Sequence, residues 1–305
     1  MASKSVDRRG ALALLTSAVG GVGVGGCLGR GRTSDPPPSV TVLAAGSLNN
    51  AFENGLRPRV DARLQVEAHG SAEVARLVAG ESKDPDVVAL ADVALFDGPL
   101  HPPWYAEFAT NALVVAYDDD DAGGRRLAEA APDRWYRPLL SGAVSLGRTD
   151  PDLDPLGYRT LFVLELASEY YGLETDLREA IPRREQIYPE TQLVSQFETG
   201  SIDAAVTYRS MAEERGYDYV SLPPEVDLST PRFADRYATV RYELPSGKLV
   251  AGAPISYGGT VRYDAAPVRG VFDRLTNGTY LDEFGFVVPD DYPTYTGDVP
   301  DGIAN

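Results

Sequence analysis

One cysteine, two histidines and three lysines are all that this 305-residue chain contains of those residue types. A lone Cys27 excludes an internal disulfide. His69 and His101 with no cysteine partner argue against a protein-bound zinc site, and a Ser-His-Asp triad would have to rest on one of these two histidines. No G-x-S-x-G elbow is present to support a serine nucleophile. Lys4, Lys83 and Lys248 are so few that arginine supplies nearly all the positive charge, against a formal net charge of -17 and a sequence pI of about 4.5. Such a balance argues against nucleic acid, which needs a basic face. Acidic surplus with scarce lysine reads as adaptation to high salt, where a hydrated, charged surface keeps a protein soluble. No run is long and apolar enough to cross a bilayer.

What is present is enough apolar residue for a sizeable core, 43% of the chain, which excludes global disorder. The first residues read as an address and not as fold. Arg8-Arg9 precede an apolar stretch from Ala11 to Val24, which ends in "VGGC" at Cys27. Twin arginines, a short apolar segment and small residues before a cysteine are the order of a Tat-like export signal with a lipobox, and Cys27 is the expected lipidation site. Removing residues 1–26 takes away Lys4, Arg8, Arg9 and Asp7, a net +2, so the exported chain would carry -17 - 2 = -19. "GRGRTSDPPPS", Gly29 to Ser39, has the composition of a tether.

From Val40 the chain alternates short apolar runs with helical patterns. "VTVLAA" reads as a strand, Asn49 to Val60 as a helix and its exit, and "RLQVEAHG" as a strand. "SAEVARLVAG" reads as a helix and "DPDVVALAD" as a strand. This βαβαβ rhythm implies a parallel sheet with helices on both faces. Phe108 to Asp118 is one long extended stretch that fits a crossing between two domains. Helices are expected over Ala122–Ala131, about Tyr158 to Tyr171, "PETQLVSQFETG" and "APVRGVFDRLTNG". Strands are expected at "AVSLG" and "IDAAVTY", with "YATVRYEL" and "KLVAGAPISYG" returning to the first sheet.

Two serines stand at matching junctions. Ser47 in "AAGSL" and Ser71 in "AHGSAEV" each follow a glycine at a strand end and open a helix. Singly, each reads as an N-cap. As a pair, they read as two hydroxyls and two N–H groups aimed at one oxyanion. Helix N-termini carry partial positive charge, so such a cradle needs no Lys or Arg even in an acidic protein. His69 beside Ser71 reads as a strand-end residue, and "YDDDDAGG" at 117–124 as a solvated acidic loop without calcium-site spacing.

Several blocks together resemble the molybdate/tungstate-binding proteins of ABC transporters, the archaeal tungstate-binding type in particular. They are "AAGSL", "HGSAEVARL", "DVVALAD", "WYAEFATNALVVAY", "DPLGYRTLFVLELA", "PETQLVSQFETGSIDAAVTYRS" and "APVRGVFDRL", spread over Val40 to Phe286. The resemblance implies an α/β type II periplasmic-binding fold, two α/β lobes with a ligand cleft between them. Lobe I would comprise residues 40–110 and 254–305, and lobe II residues 111–253. It implies oxygen-binding roles for Ser47, Ser71 and Tyr208, and metal-reaching roles for Asp154 and Glu190 toward the Mo or W of the bound oxyanion. Read without it, Asp154 is a pre-proline turn residue and Glu190 a first-turn helix acid. Arg183 and Arg184 make the stretch before Glu190 locally basic, facing either solvent or the cleft. The implied function is uptake: an exported, lipid-anchored, monomeric binder with no cofactor and no catalysis, passing tungstate or molybdate to a permease and its ATPase. The alternatives are another oxyanion such as sulfate, or an exported serine hydrolase.

Overall fold

The computed structural model describes residues 36–181 and 187–303, with the backbone alone at positions 190 and 191. The export signal, Cys27 and the tether up to position 35 lie outside the described residues, as do Arg183 and Arg184. Strands β1 (Ser39–Ala45), β2 (Arg63–His69) and β3 (Val87–Leu90) run parallel with β1 in the middle. β3 is buried at all four positions, as expected of a parallel strand covered on both faces. Helix α1 (Ser71–Ala79) makes the crossover from β2 to β3 and buries Val74, Ala75 and Val78. The helix expected over 49–60 is present as one continuous helical run from 49 to 59, which widens to a π-helix over Ala51–Leu56, tightens to a 3-10 turn at Arg57–Arg59 and exits at Val60. Pro58 removes a backbone donor there. Gly55 is pressed against another element, with a Cβ at that position falling 2.5 Å from the Tyr280 ring.

The extended stretch at 108–118 is two strands in two different sheets, β4 (Trp104–Asn111) and β5 (Leu113–Tyr117), with Ala112 alone between them. Helices α2 (Ala122–Ala130) and α3 (Tyr136–Leu140) lead to β6 (Leu146–Thr149) and then to α4 (Pro155–Tyr170). After α5 (Leu177–Ala180) come β7 (Ile187–Tyr188), α6 (Glu190–Glu198), β8 (Ala204–Tyr208), α7 (Arg209–Arg215) and β9 (Asp218–Ser221). The second sheet has the order β7-β6-β8-β5-β9. Its β6, β7 and β8 are parallel, and β5 runs against both neighbours.

Past α8 (Ala234–Tyr237), strands β10 (Arg241–Glu243) and β11 (Leu249–Ala251) pair with each other in a separate ribbon. The return to the first sheet is therefore made by β12 (Ile255–Val261) alone of the strands expected there. β12 lies antiparallel between β3 and β4, and α9 (Ala266–Thr276) packs behind the sheet. A last strand, β13 (Thr294–Gly297), extends the first sheet beyond β4, giving β13-β4-β12-β3-β1-β2. One apolar cluster runs through both sheets, from Val40 and Phe108 to Trp135 and Phe162. Each large side chain buried in it stabilises the fold by roughly 1.5–3 kcal/mol before entropy is counted.

Candidate functional site

The carboxyl ends of the parallel strands β1, β2 and β3 point the same way, and three loops meet there: Ala45–Ser47, Gly70–Ser71 and Ala91–Asp92. Ligands of open α/β sheets bind at such ends. Neither serine caps its helix. The cap positions are Ala45 and Gly70, both in extended backbone, with no side-chain cap at either. Ser71 Oγ accepts the Ala91 N–H at 3.0 Å. Ser47 Oγ lies 3.1 Å from the Tyr257 hydroxyl. The first N–H groups of each turn have no intrahelical partner, and both turns line the same cleft.

The second sheet supplies the facing wall. Asp154 is the N-cap of α4, its Oδ1 accepting the Leu156 N–H at 2.8 Å, with Pro155 at the first helical position. Pro155, Tyr158 and Arg159 follow at i, i+3 and i+4 on one face, while the opposite residues Leu156, Thr160 and Leu164 are buried. Tyr208 ends β8 and Ser210, Met211 and Glu214 descend α7. Ser47, Ser71, Asp154 and Tyr208 thus line one cleft of about 660 Å³. Glu190 opens α6, but its side chain lies outside the described residues. A smaller cavity of about 340 Å³ adjoins this cleft through Asp92, Tyr158 and Arg159, and carries Lys248.

Arg159 is a cleft residue that the sequence motifs did not single out. Its Nη1 donates to the Tyr208 hydroxyl at 2.7 Å, and the guanidinium carbon sits 5.9 Å from the Tyr208 ring centroid. Burial pushes Tyr208 up to about 12 against the opposing pull of Arg159, so it remains a neutral hydroxyl. Burial alone would lower the Arg159 pKa, but the neighbouring phenols Tyr208 and Tyr158 outweigh it and the net shift is upward. The cleft therefore contains a permanent cation besides the dipoles of its helix ends. The signal was available in "DPLGYR": a polar side chain one turn after the cap, on the same face, within an otherwise apolar helix.

Among the described residues the hydrogen-bond partners of the Ser47 and Ser71 hydroxyls are Tyr257 and the Ala91 N–H, and neither is a histidine. His69 Nε2 bonds Glu67 Oε1 at 2.8 Å, an exposed strand-end contact. Among the described residues no group of three or more His, Cys, Asp or Glu is placed to hold a metal ion. Among them, too, no helix is long and apolar enough to cross a membrane.

Residues 40–268 match the family model described as "Bacterial extracellular solute-binding protein". The chain belongs to this family. A Haloferax volcanii relative, named as an ABC transporter molybdenum-binding protein, is 54% identical to this solute-binding protein over 93% of this chain and 94% of its own. The molybdate/tungstate-binding protein WtpA of Thermococcus kodakarensis is 32% identical, covering 77% of this chain and 76% of its own. Among solved structures, the substrate binding domain of a molybdenum ABC transporter from Clostridium difficile shares the fold. Its TM-score is 0.57 at 13% identity, over 83% of the solute-binding protein and 99% of that chain.

Proposed function

We propose that this solute-binding protein takes up tungstate or molybdate in the cleft between its two sheets and delivers it to a membrane permease driven by a separate ATPase. The observation that carries this reading is the convergence of Ser47, Ser71, Tyr208 and Asp154 on one cavity from two sheets. The names of its relatives from Haloferax and Thermococcus point the same way. The serine and tyrosine hydroxyls and the helix-end N–H groups bind the oxyanion's oxygens, and Arg159 balances its charge. Asp154 and Glu190 approach the metal centre. Mo(VI) and W(VI) are hard, high-valent and accept extra carboxylate oxygens. Sulfate has no such capacity, so the same carboxylates repel it and favour the metal oxyanions.

The protein carries its ligand without chemical change and needs no cofactor. The lobes, residues 40–110 with 254–305 and residues 111–253, close on the anion as a monomer, and the closed form docks on the permease. Cys27 holds the body to the outer face of the membrane through a lipid, with residues 28–39 as the leash.

The test is calorimetric titration of the full chain in molar KCl with tungstate, molybdate and sulfate. One-to-one binding of both metal oxyanions with no heat from sulfate is expected. Sulfate binding alone would overturn the carboxylate assignment, and no binding of any of the three would overturn the oxyanion reading. Asp154→Asn refines the test, because Asn caps a helix as well as Asp does. Its melting temperature should match that of the unmodified protein, while tungstate affinity falls by about tenfold or more through loss of the charged ligand. Unchanged affinity would remove Asp154 from the site.

A further inference from the structure

Five hydroxyls line the cleft: Ser47, Ser71, Tyr158, Tyr208 and Ser210. A hydroxyl has one hydrogen, and whatever donates to its oxygen decides where that hydrogen points. The Ser71 oxygen is taken by the Ala91 N–H and the Tyr208 oxygen by Arg159. Neither donor can reverse its role, so both hydrogens are directed elsewhere. The Ser47 and Ser210 hydroxyls trace back to a single side chain, Asn111, the last residue of β4 and fully buried. It belongs to the "FATN" block, to which the oxyanion reading assigns no role.

Asn111 Oδ1 accepts the Ala112 N–H at 3.0 Å, which fixes the amide's orientation. Its NH2 group then makes two bonds, to Ser210 Oγ at 2.8 Å and to the Tyr257 hydroxyl at 3.2 Å. Tyr257 is 2% exposed and its oxygen receives the Asn111 hydrogen. Burying the phenolic hydrogen without a partner is unfavourable. Ser47 Oγ, 3.1 Å away, is the acceptor within reach. Ser47 thus receives a hydrogen from Tyr257, as Ser210 does from Asn111, and each must present its own hydrogen outward.

We propose that Asn111 is a positioning residue that turns the Ser47 and Ser210 hydrogens into the cleft, and that Ser210 is a further anion-binding hydroxyl. This rests on the oxyanion reading above. Ser47, Ser71, Tyr208 and Ser210 then each turn a hydrogen toward the anion. One amide at the crossover between the sheets sets this polarity on both sides, since Tyr257 lies on β12 and Ser210 on α7.

Double-mutant cycles on the full chain test it, with tungstate affinity read by calorimetry and folding by thermal melts. Asn111→Ala should weaken tungstate about tenfold. In a Ser47→Ala/Ser210→Ala background the same change should cost less than about twofold, since the hydroxyls it orients are gone. Equal losses in both backgrounds would reduce Asn111 to a structural residue and overturn the proposal. If Asn111→Ala melts below the working temperature, Tyr257→Phe removes a single oxygen and supports the same cycle against Ser47→Ala, with the same two outcomes. Ser210→Ala alone should weaken tungstate several-fold, and unchanged affinity would remove Ser210 from the site. A wild-type protein that binds neither tungstate, molybdate nor sulfate would overturn the oxyanion reading and this inference together. Wild-type binding with additive losses would overturn this inference alone.

Discussion

Asp227 lies buried beside the crossover, 7% exposed, its Oδ1 accepting the Ser229 N–H at 2.9 Å and its carbonyl accepting the Leu113 N–H at 2.9 Å. Burial pushes its carboxyl up to about 6, against the pull of Ser229 and Arg209. The unfolded group titrates near pH 4. Between these values the folded state holds the proton more tightly, so this group's contribution to stability is fully present below about pH 4 and is lost as pH rises through about 6. A shift of roughly two units corresponds to about 3 kcal/mol at most. Asp227→Asn keeps the acceptor and removes the charge. Its guanidinium unfolding midpoint should exceed that of the unmodified protein at pH 7 and converge with it at pH 4. A gap of equal size at both pH values would mean that ionisation of Asp227 is not the cause. At this same scale the sequence made the cleft legible wherever a residue sits at a strand-helix junction. Gly before Ser47 and Ser71, and Pro after Asp154, mark such junctions locally. Arg159 and Asn111 carry no such mark: they act through Tyr208 and Tyr257, 49 and 146 residues away, and only the folded chain brings them together.

Helix α4 carries Asp154, Tyr158 and Arg159 into the cleft, and its angle of approach is set by Gly157. A Cβ at that position would fall 2.5 Å from the carbonyl carbon of Asp150 and 2.5 Å from the Pro151 nitrogen, backbone atoms that have no room to yield. Gly157→Ala should therefore cost about 1–3 kcal/mol, the usual range for overpacking, and should weaken tungstate binding in parallel as the first turn is pushed away. Thermal melts and titration of the same preparation check both. Full binding with lowered stability would show that the helix end tolerates displacement. Elements with a clear local pattern, such as α1, α6 and β8, were readable from periodicity and flanking glycines. The helix after Ser47 was readable too, but its widening to a π-helix was not: Tyr280 and Phe284 press on Gly55 from 225 or more residues later. Nor was β13, whose "TYTG" is four residues between prolines and becomes a strand only by pairing with β4.

Taken whole, the molecule carries a formal charge of -17 with three lysines. Repulsion among exposed carboxylates opposes compaction, and its range shrinks from about 10 Å at 0.1 M salt to about 3 Å at 1 M. The melting temperature should rise by roughly 5 °C or more between 0.1 and 2 M KCl, the equivalent of about 1–2 kcal/mol. A flat or falling profile would refute the high-salt reading of the composition. The strand order has a different consequence. The centre of the first sheet is β12, made of residues 255–261, while the second sheet ends with β9 at Ser221. A chain emerging from the ribosome can therefore finish its second sheet first. Until residue 261 emerges, β3 and β4 have open edges and Ser47 has no Tyr257. The order of synthesis acts as an interlock, since a truncated or half-made chain lacks the hydroxyl relay needed to grip an anion.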